Sequence, residues 1–206
     1  MPGSRASEDV RRQQIVDAAF ELASKGGIGA ITVRDVAQKC GISTGLVLFH
    51  FESKDRLVLA LLDWVVASTV SLTIDEQTVE IADPLERLAS VLGSEIDRVS
   101  REPQRNRLFF EFWNQGLSNR AIRSRMQRDL DNYREAFLPL IDALLDGYPS
   151  RFRDTNAAAL STAIVSLIKG CALQSMIEPH LDVDALIAAA TGLLGVTMSP
   201  SPSHRI

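Results

Sequence analysis

The side chains with the most chemistry to offer lie between residues 32 and 54, and that chemistry is recognition rather than bond-making. At about 100° per residue, Thr44, Gly45, Leu48 and Phe49 fall on one side of a short helix. Val47 and Phe51 share the other side with Ser43 and His50. The first side would show water two large apolar groups and a glycine, which a stable surface helix rarely does without a partner. A DNA major groove supplies one. Thymine methyls meet apolar groups there, a threonine hydroxyl reaches a base edge, and a glycine lets the backbone come close. Nothing else in the chain reads as a reactive centre. No nucleophile–base pair, metal cluster or phosphate-binding glycine loop is visible, and His50, His180 and His204 have no ligand spacing. The reading is a protein that is not an enzyme and uses no cofactor or metal.

The flanking residues position that face. Thr32 can cap a helix whose Val33, Val36, Ala37 and Cys40 recur at i, i+3, i+4 and i+7. Gly41 can end it in the left-handed conformation, and Ser43 is a second cap two residues on, which makes a helix-turn-helix. A preceding amphipathic helix over 7–25 would pack across the pair, and residues 1–7 read as a disordered arm whose Arg5, with Arg11 and Arg12, could follow a minor groove. A further helix starts at Ser53. Lys54 in its first turn lies beside free N–H groups at the positive end of the helix dipole, a phosphate anchor. Residues 57–62 of the same helix are apolar on nearly every side, as suits a connector touched from two sides.

The rest of the chain continues in helical period. Helices are predicted over 84–100, 103–117, 118–145, 155–178 and 182–197, with 75–83 as a loop or frayed helix end. No strand-like alternation occurs. The fold class is all-α, with about nine helices: a three-helix DNA-binding domain over 1–52, a dimerisation bundle over 53–198 whose ligand-binding role rests on the family resemblance given below, and a disordered tail over 199–206. The helices over 155–178 and 182–197 carry more apolar and small residues than one core needs, which predicts a four-helix bundle across a two-fold axis, a homodimer.

Composition bounds these readings. The chain has 206 residues, 46% apolar and 23% charged, an ordinary globular composition. Net charge is −4, but residues 1–60 hold 8 Lys+Arg against 7 Asp+Glu, so the DNA contact would be local and not a coat of bulk charge. The basic side of 118–145, with Arg120, Arg123, Arg125 and Arg128, is interleaved by Asp129 and Asp131 and reads as a solvated face. Cys40 and Cys171 read as free, packed thiols. The span 57–74 has Asp63 as its one charge. With four Ser/Thr near its end it reads as a buried helix and not a membrane span, in a cytoplasmic protein.

The pattern Gly41-Ile42-Ser43-Thr44-Gly45, then Phe49-His50-Phe51, Lys54 and Leu57, resembles the signature of the TetR family of bacterial transcriptional repressors. The match extends back through 15–22 and through Gly29 and Thr32–Ala37, about the first 65 residues. The resemblance implies a dimer joined by its last two helices, one recognition helix per subunit, and a small-molecule effector bound in the C-terminal domain. On this reading Thr44, Gly45 and Leu46 meet base edges, Arg34 reaches a guanine, Leu48 and Phe49 complete the apolar contact, and Ser43 caps the helix that carries them. Thr32, His50 and Lys54 hold phosphates. The family commonly has a phosphate-binding Tyr where this chain has Leu48, and leucine cannot make that bond. Phe110, Phe112 and Trp113, followed by Arg120–Arg128, more loosely resemble the choline-responsive BetI-type branch.

Two readings stand for the aromatic residues Phe109, Phe112, Trp113, Tyr133 and Phe137: core packing, or a cage for a cationic ligand with Glu111 and Asn114 nearby. The function expected is a sequence-specific DNA-binding regulator, a repressor released from a palindromic operator by an unidentified effector. The alternative is a helical dimer that binds proteins and carries a degenerate DNA site.

Overall fold

The computed structural model describes residues 3–178 and 180–193, with side chains from residue 8 onward. Among these residues there are ten α-helices and no strand: α1 (Gly3–Gly26), α2 (Val33–Cys40), α3 (Thr44–Phe51), α4 (Lys54–Thr69), α5 (Glu76–Val79), α6 (Pro84–Ser100), α7 (Pro103–Gly116), α8 (Arg120–Gly147), α9 (Ala157–Ser175) and α10 (Val183–Leu193). The all-α expectation holds. The tenth helix is α5, a separate single turn inside 75–83, where a loop or frayed helix end was expected; the Asp75 side chain accepts the Thr78 N–H at 2.7 Å and caps it. Residues 3–7 also differ from expectation, because their backbone is the first turns of α1 and not an arm. The predicted tail over 199–206, Pro179, residues 194–197 and the side chain of Arg5 lie outside the described residues.

The chain divides into two units. The first comprises Met1–Val70 and Gln104–Asp129, and so holds α1 to α4, nearly all of α7 and the start of α8. Its core is Ile15, Ala19, Ala23, Ile31, Val36, Leu57, Leu61, Leu62 and Val65, each with no exposed surface, closed by Leu108, Phe109 and Phe112 from α7. Beside that core Phe20 and Trp64 meet as a tilted pair with ring centres 4.7 Å apart, and the Arg105 guanidinium lies 4.9 Å over the Trp64 ring, so α7 grips α1 and α4 through one indole.

The second unit comprises Ser71–Pro103 and Leu130–Ile206. Asp83 caps α6, accepting the Leu85 N–H at 2.7 Å and the Glu86 N–H at 3.1 Å, with Pro84 at the first helical position. The Tyr148 hydroxyl donates to the same carboxylate; that bond, followed by the Glu86 N–H, holds Asp83 below the usual carboxylate range. Leu88, Ala89, Ile96, Phe137, Ile141, Leu144 and Ile168 are fully buried where α6, α8 and α9 meet. Of the described helices, α9 alone is long and apolar enough to cross a membrane by length and composition, and not the span over 57–74. Ile164, Val165, Ile168, Cys171 and Ala172 of α9 are buried, and α9 packs on α6.

One feature of this unit is not apolar. Glu95 and Tyr133 are 2% and 1% exposed and Lys169 is 7% exposed, yet all three sit among the core residues. Tyr133 donates its hydroxyl proton to Glu95, and Arg98 donates to the same carboxylate from Nη2 at 2.6 Å and from Nε at 3.1 Å. The Lys169 ammonium lies 5.2 Å from the centre of the Tyr133 ring. Burial, and then the charge of Arg98, pull Lys169 down to about 7, with Glu95 opposing. A lysine depressed in the folded state gives up its proton there while the unfolded chain still holds one. Stability therefore climbs with pH from about 7 until the unfolded value is reached. In urea titrations the wild type should gain on Lys169→Met by about 1 kcal/mol per pH unit between pH 7 and 9, and run parallel to it below pH 6.

Candidate nucleic-acid interface

The recognition face is built by short-range bonds. Thr32 accepts the Asp35 N–H at 3.0 Å and starts α2. At the other end Gly41 adopts φ 65 and ψ 32; its N–H bonds the Gln38 carbonyl and the Ile42 N–H bonds the Ala37 carbonyl, a Schellman closure that only a left-handed residue allows. Ser43 accepts the Leu46 N–H at 3.2 Å and starts α3 three residues later. α3 then buries only Val47 and Phe51. Thr44 and Gly45 are exposed, Leu48 is 41% exposed and Phe49 75% exposed, while Leu46 is half-buried. The face drawn from the sequence is the face the chain presents.

Glycine at position 45 has no internal reason. A Cβ added there would meet only the Ser43 hydroxyl oxygen, at 3.8 Å. The space it keeps clear is outside the protein. Arg34 and Lys54 are also exposed, and their side chains make no bond with any described residue. Lys54 stands in the first turn of α4, whose cap Ser53 accepts the Arg56 N–H. Thr32 and His50 fit the phosphate role less directly. The Thr32 hydroxyl donates to the Asp35 carboxylate at 2.6 Å, so its proton is committed to the cap. His50 is half-buried, its ring edge-on to Phe49, and its Nδ1 is buried without a hydrogen-bond partner.

Three supports of this face were not foreseen. Arg12 lies with its guanidinium 4.4 Å over the Phe51 ring and donates to the His50 carbonyl, so it braces the C-terminal end of α3 and does not reach outward to a minor groove. Glu52 adopts φ 61 and ψ −40, and the Ser53 N–H bonds the Phe51 carbonyl across it at 2.6 Å, a strained γ-turn that swings the chain from α3 into α4. Glu111 of α7 accepts the Ile28 N–H at 2.7 Å and so ties down the turn between α1 and α2. Arg12 meets α3 across 38 residues and Glu111 meets Ile28 across 83, so no local pattern could reveal either. Glu52 carried no signal because the turn takes no glycine or asparagine.

The basic side of α8 is the solvated face expected, with Arg120, Arg123 and Arg128 exposed; Arg123 Nε donates to the Gly116 carbonyl at 2.8 Å, Arg125 pairs with Asp63 at 2.9 Å and Arg128 with Asp129 at 3.2 Å. The five aromatic residues do not all fall in one unit. Phe109 and Phe112 are buried and Trp113 is 41% exposed in the first; Tyr133 and Phe137, their rings 5.3 Å apart, belong to the core of the second. Glu111 bonds the Ile28 N–H. Cys40 and Cys171 are free thiols.

Residues 15–61 match the family described as bacterial regulatory proteins, tetR family, and residues 84–196 match the family described as BetI-type transcriptional repressor, C-terminal. The chain is 28% identical over 115 residues to the HTH-type transcriptional regulator BetI of Burkholderia cenocepacia, covering 56% of this chain and 59% of that regulator's length. It is 27% identical over 194 residues to the regulator of the same name from Burkholderia mallei, covering 93% of this chain and 95% of that one. A solved transcriptional regulator from Saccharomonospora viridis, in complex with choline, has the same fold at a TM-score of 0.68 and 22% identity, over 91% of this chain and 96% of that one.

The strained turn makes one expectation concrete. Glu52→Gly removes the Cβ that disfavours positive φ and should raise the unfolding free energy by about 1 kcal/mol, read by thermal or urea denaturation.

Proposed function

Because the chain belongs to the TetR family of bacterial regulatory proteins, with a C-terminal region of the BetI type, we propose that it is a repressor that binds a palindromic operator as a homodimer and leaves it when a small molecule binds. Its coarser character, a helix-turn-helix transcriptional regulator, is the family's own. The observation that carries the finer reading is the outward face of α3. Leu48 and Phe49 are held in water beside a glycine whose missing Cβ serves no contact inside the protein. A duplex would cover that face, with Thr44, Gly45 and Leu46 at base edges, Arg34 at a guanine, and Lys54 with the first turn of α4 on a phosphate. Leu48 offers no phosphate bond, and the half-buried His50 is the nearest polar group able to take that part.

Homodimerisation is supported by α9 and α10. Ala159, Thr162, Ala163 and Ser166 are exposed at helical spacing along α9, and Leu173 and Ile177 continue beyond them at 43% and 75% exposed. Ala188, Ala189, Gly192 and the 81% exposed Leu193 do the same on α10. Small side chains let a second backbone approach closely, and the apolar ends supply area to bury, so a bundle of four helices across a two-fold axis follows. Two recognition helices set by that bundle read two half-sites. The effector is assigned to the C-terminal region because that region matches the BetI-type repressor family, and a regulator of similar fold from Saccharomonospora viridis was solved in complex with choline. In this division residues 1–52 read DNA, and 53–198 bind the ligand and the second subunit.

The test is a duplex recovered from a random library by selection on the full-length protein, followed by footprinting. Two protected half-sites related by symmetry are expected; a single protected half-site, or no enrichment, overturns the reading. On the same duplex Gly45→Ala should lose about tenfold in affinity while its thermal stability holds or rises, because the added methyl meets the groove and not the protein. Lys54→Ala should weaken all sequences alike and lower the slope of log K against log salt by about 1.

A further inference from the structure

Lys169 is the one charged residue of α9, and it lies on the buried side of that helix beside Val165, Ile168 and Ala172. A lysine in such a place gives up hydration that an apolar residue would never have had, so its position calls for a partner. The partner is aromatic and acidic at once. The Tyr133 ring faces the ammonium at 5.2 Å, and Phe137 stands edge-on to that ring at 5.3 Å. The Tyr133 hydroxyl points at Glu95, whose carboxylate also takes both bonds from Arg98. An aromatic face backed by a carboxylate in a dry interior is the arrangement that binds quaternary ammonium ions. Here α6, α8 and α9 supply the acid, the ring and the cation from one chain.

We propose that Lys169 is the specificity-determining residue of this site: its side chain fills the space over the Tyr133 ring, whose hydroxyl is held by Glu95, and so closes the second unit to free quaternary ammonium ligands. A free cation would have to displace that side chain and enter beside Arg98, whose like charge repels it where little water screens the pair. Selection therefore runs towards uncharged or anionic effectors, although a regulator of similar fold was solved with choline. This deepens the effector reading above and rests on it only in placing a ligand in the second unit. Lys169→Ala removes three methylenes and the nitrogen, a volume close to that of a small ammonium ion, and leaves the ring and the carboxylate in place.

The experiment is isothermal titration of the full-length protein with tetramethylammonium and with choline. The wild type should give no binding heat at millimolar ligand. Lys169→Ala, shown to be folded by circular dichroism, should bind at least one of the two ions at least tenfold more tightly than the wild type. Choline binding to the wild type as tight as to the variant overturns the proposal, and so does a folded variant with no gain. A measurement on the wild type alone covers the case of a variant that does not fold. One lysine ε-methylene proton resonance should lie upfield, shifted by the Tyr133 ring and restored by Tyr133→Leu; four ordinary lysine shifts overturn the proposal. Operator binding measured in parallel separates the two readings, since failure to bind DNA sinks the regulator and leaves the cage result standing.

Discussion

The recognition helix is too short to stand by itself. Eight residues form fewer intrahelical bonds than nucleation costs, so α3 exists because its ends are held. Ser43 caps one end, the left-handed Gly41 fixes the approach to it, and Val47 and Phe51 are the two side chains it sinks into the unit. Every other side chain of α3 is thereby left half-buried or exposed. A longer helix would have needed a wider buried stripe and would have drawn Leu48 or Phe49 inward. The bareness of the outward face is a consequence of brevity, and brevity is tolerable only because of the caps.

The remaining supports work on the same constraint from farther away. Arg12 from α1 lies over the Phe51 ring and donates to the His50 carbonyl near the end of α3, where the intrahelical donors have run out. Glu52 accepts a strained backbone so that only two residues, Glu52 and Ser53, separate α3 from α4. Glu111 satisfies the Ile28 N–H in the turn ahead of α2. Each fixes a helix end rather than a helix middle, and helix ends are where orphan backbone groups and freedom of direction both reside. α7, which carries Glu111 and Arg105, is therefore joined to the DNA-binding helices by polar bonds of defined direction as well as by apolar packing.

The second unit departs from economy of another kind. An apolar core of α6, α8 and α9 would be cheaper than one containing Glu95, Arg98, Tyr133 and Lys169, since buried ion pairs seldom repay desolvation. The groups are retained in mutual contact, with the carboxylate taking bonds from Arg98 and Tyr133, and the ring under the ammonium. Such a cluster specifies one arrangement of three helices more narrowly than methyl groups can, because displacement of any one helix strands a charge.

What the sequence by itself determined is what short-range physics decides. Thr32, Gly41, Ser43, Asp83 and Asp182 cap or close helices through bonds to residues within five positions, so residue type and spacing were enough to place α2, α3, α6 and α10 and to say which side of α3 faces out. The one-turn helix at Glu76–Val79 and the helical start at Gly3 were missed, because neither has an apolar period long enough to read. Tertiary structure alone decided the pairings across the chain: Arg12 with His50 and Phe51, Glu111 with Ile28, Lys169 with the Tyr133 ring, and Tyr133 with Glu95. An arginine on a polar face, a glutamate in an aromatic helix and a lysine near a glycine look alike in sequence whether they face solvent or a partner. Only the fold sets the distance between groups dozens of residues apart, and it is distance that turns a charge into a brace or a counter-ion.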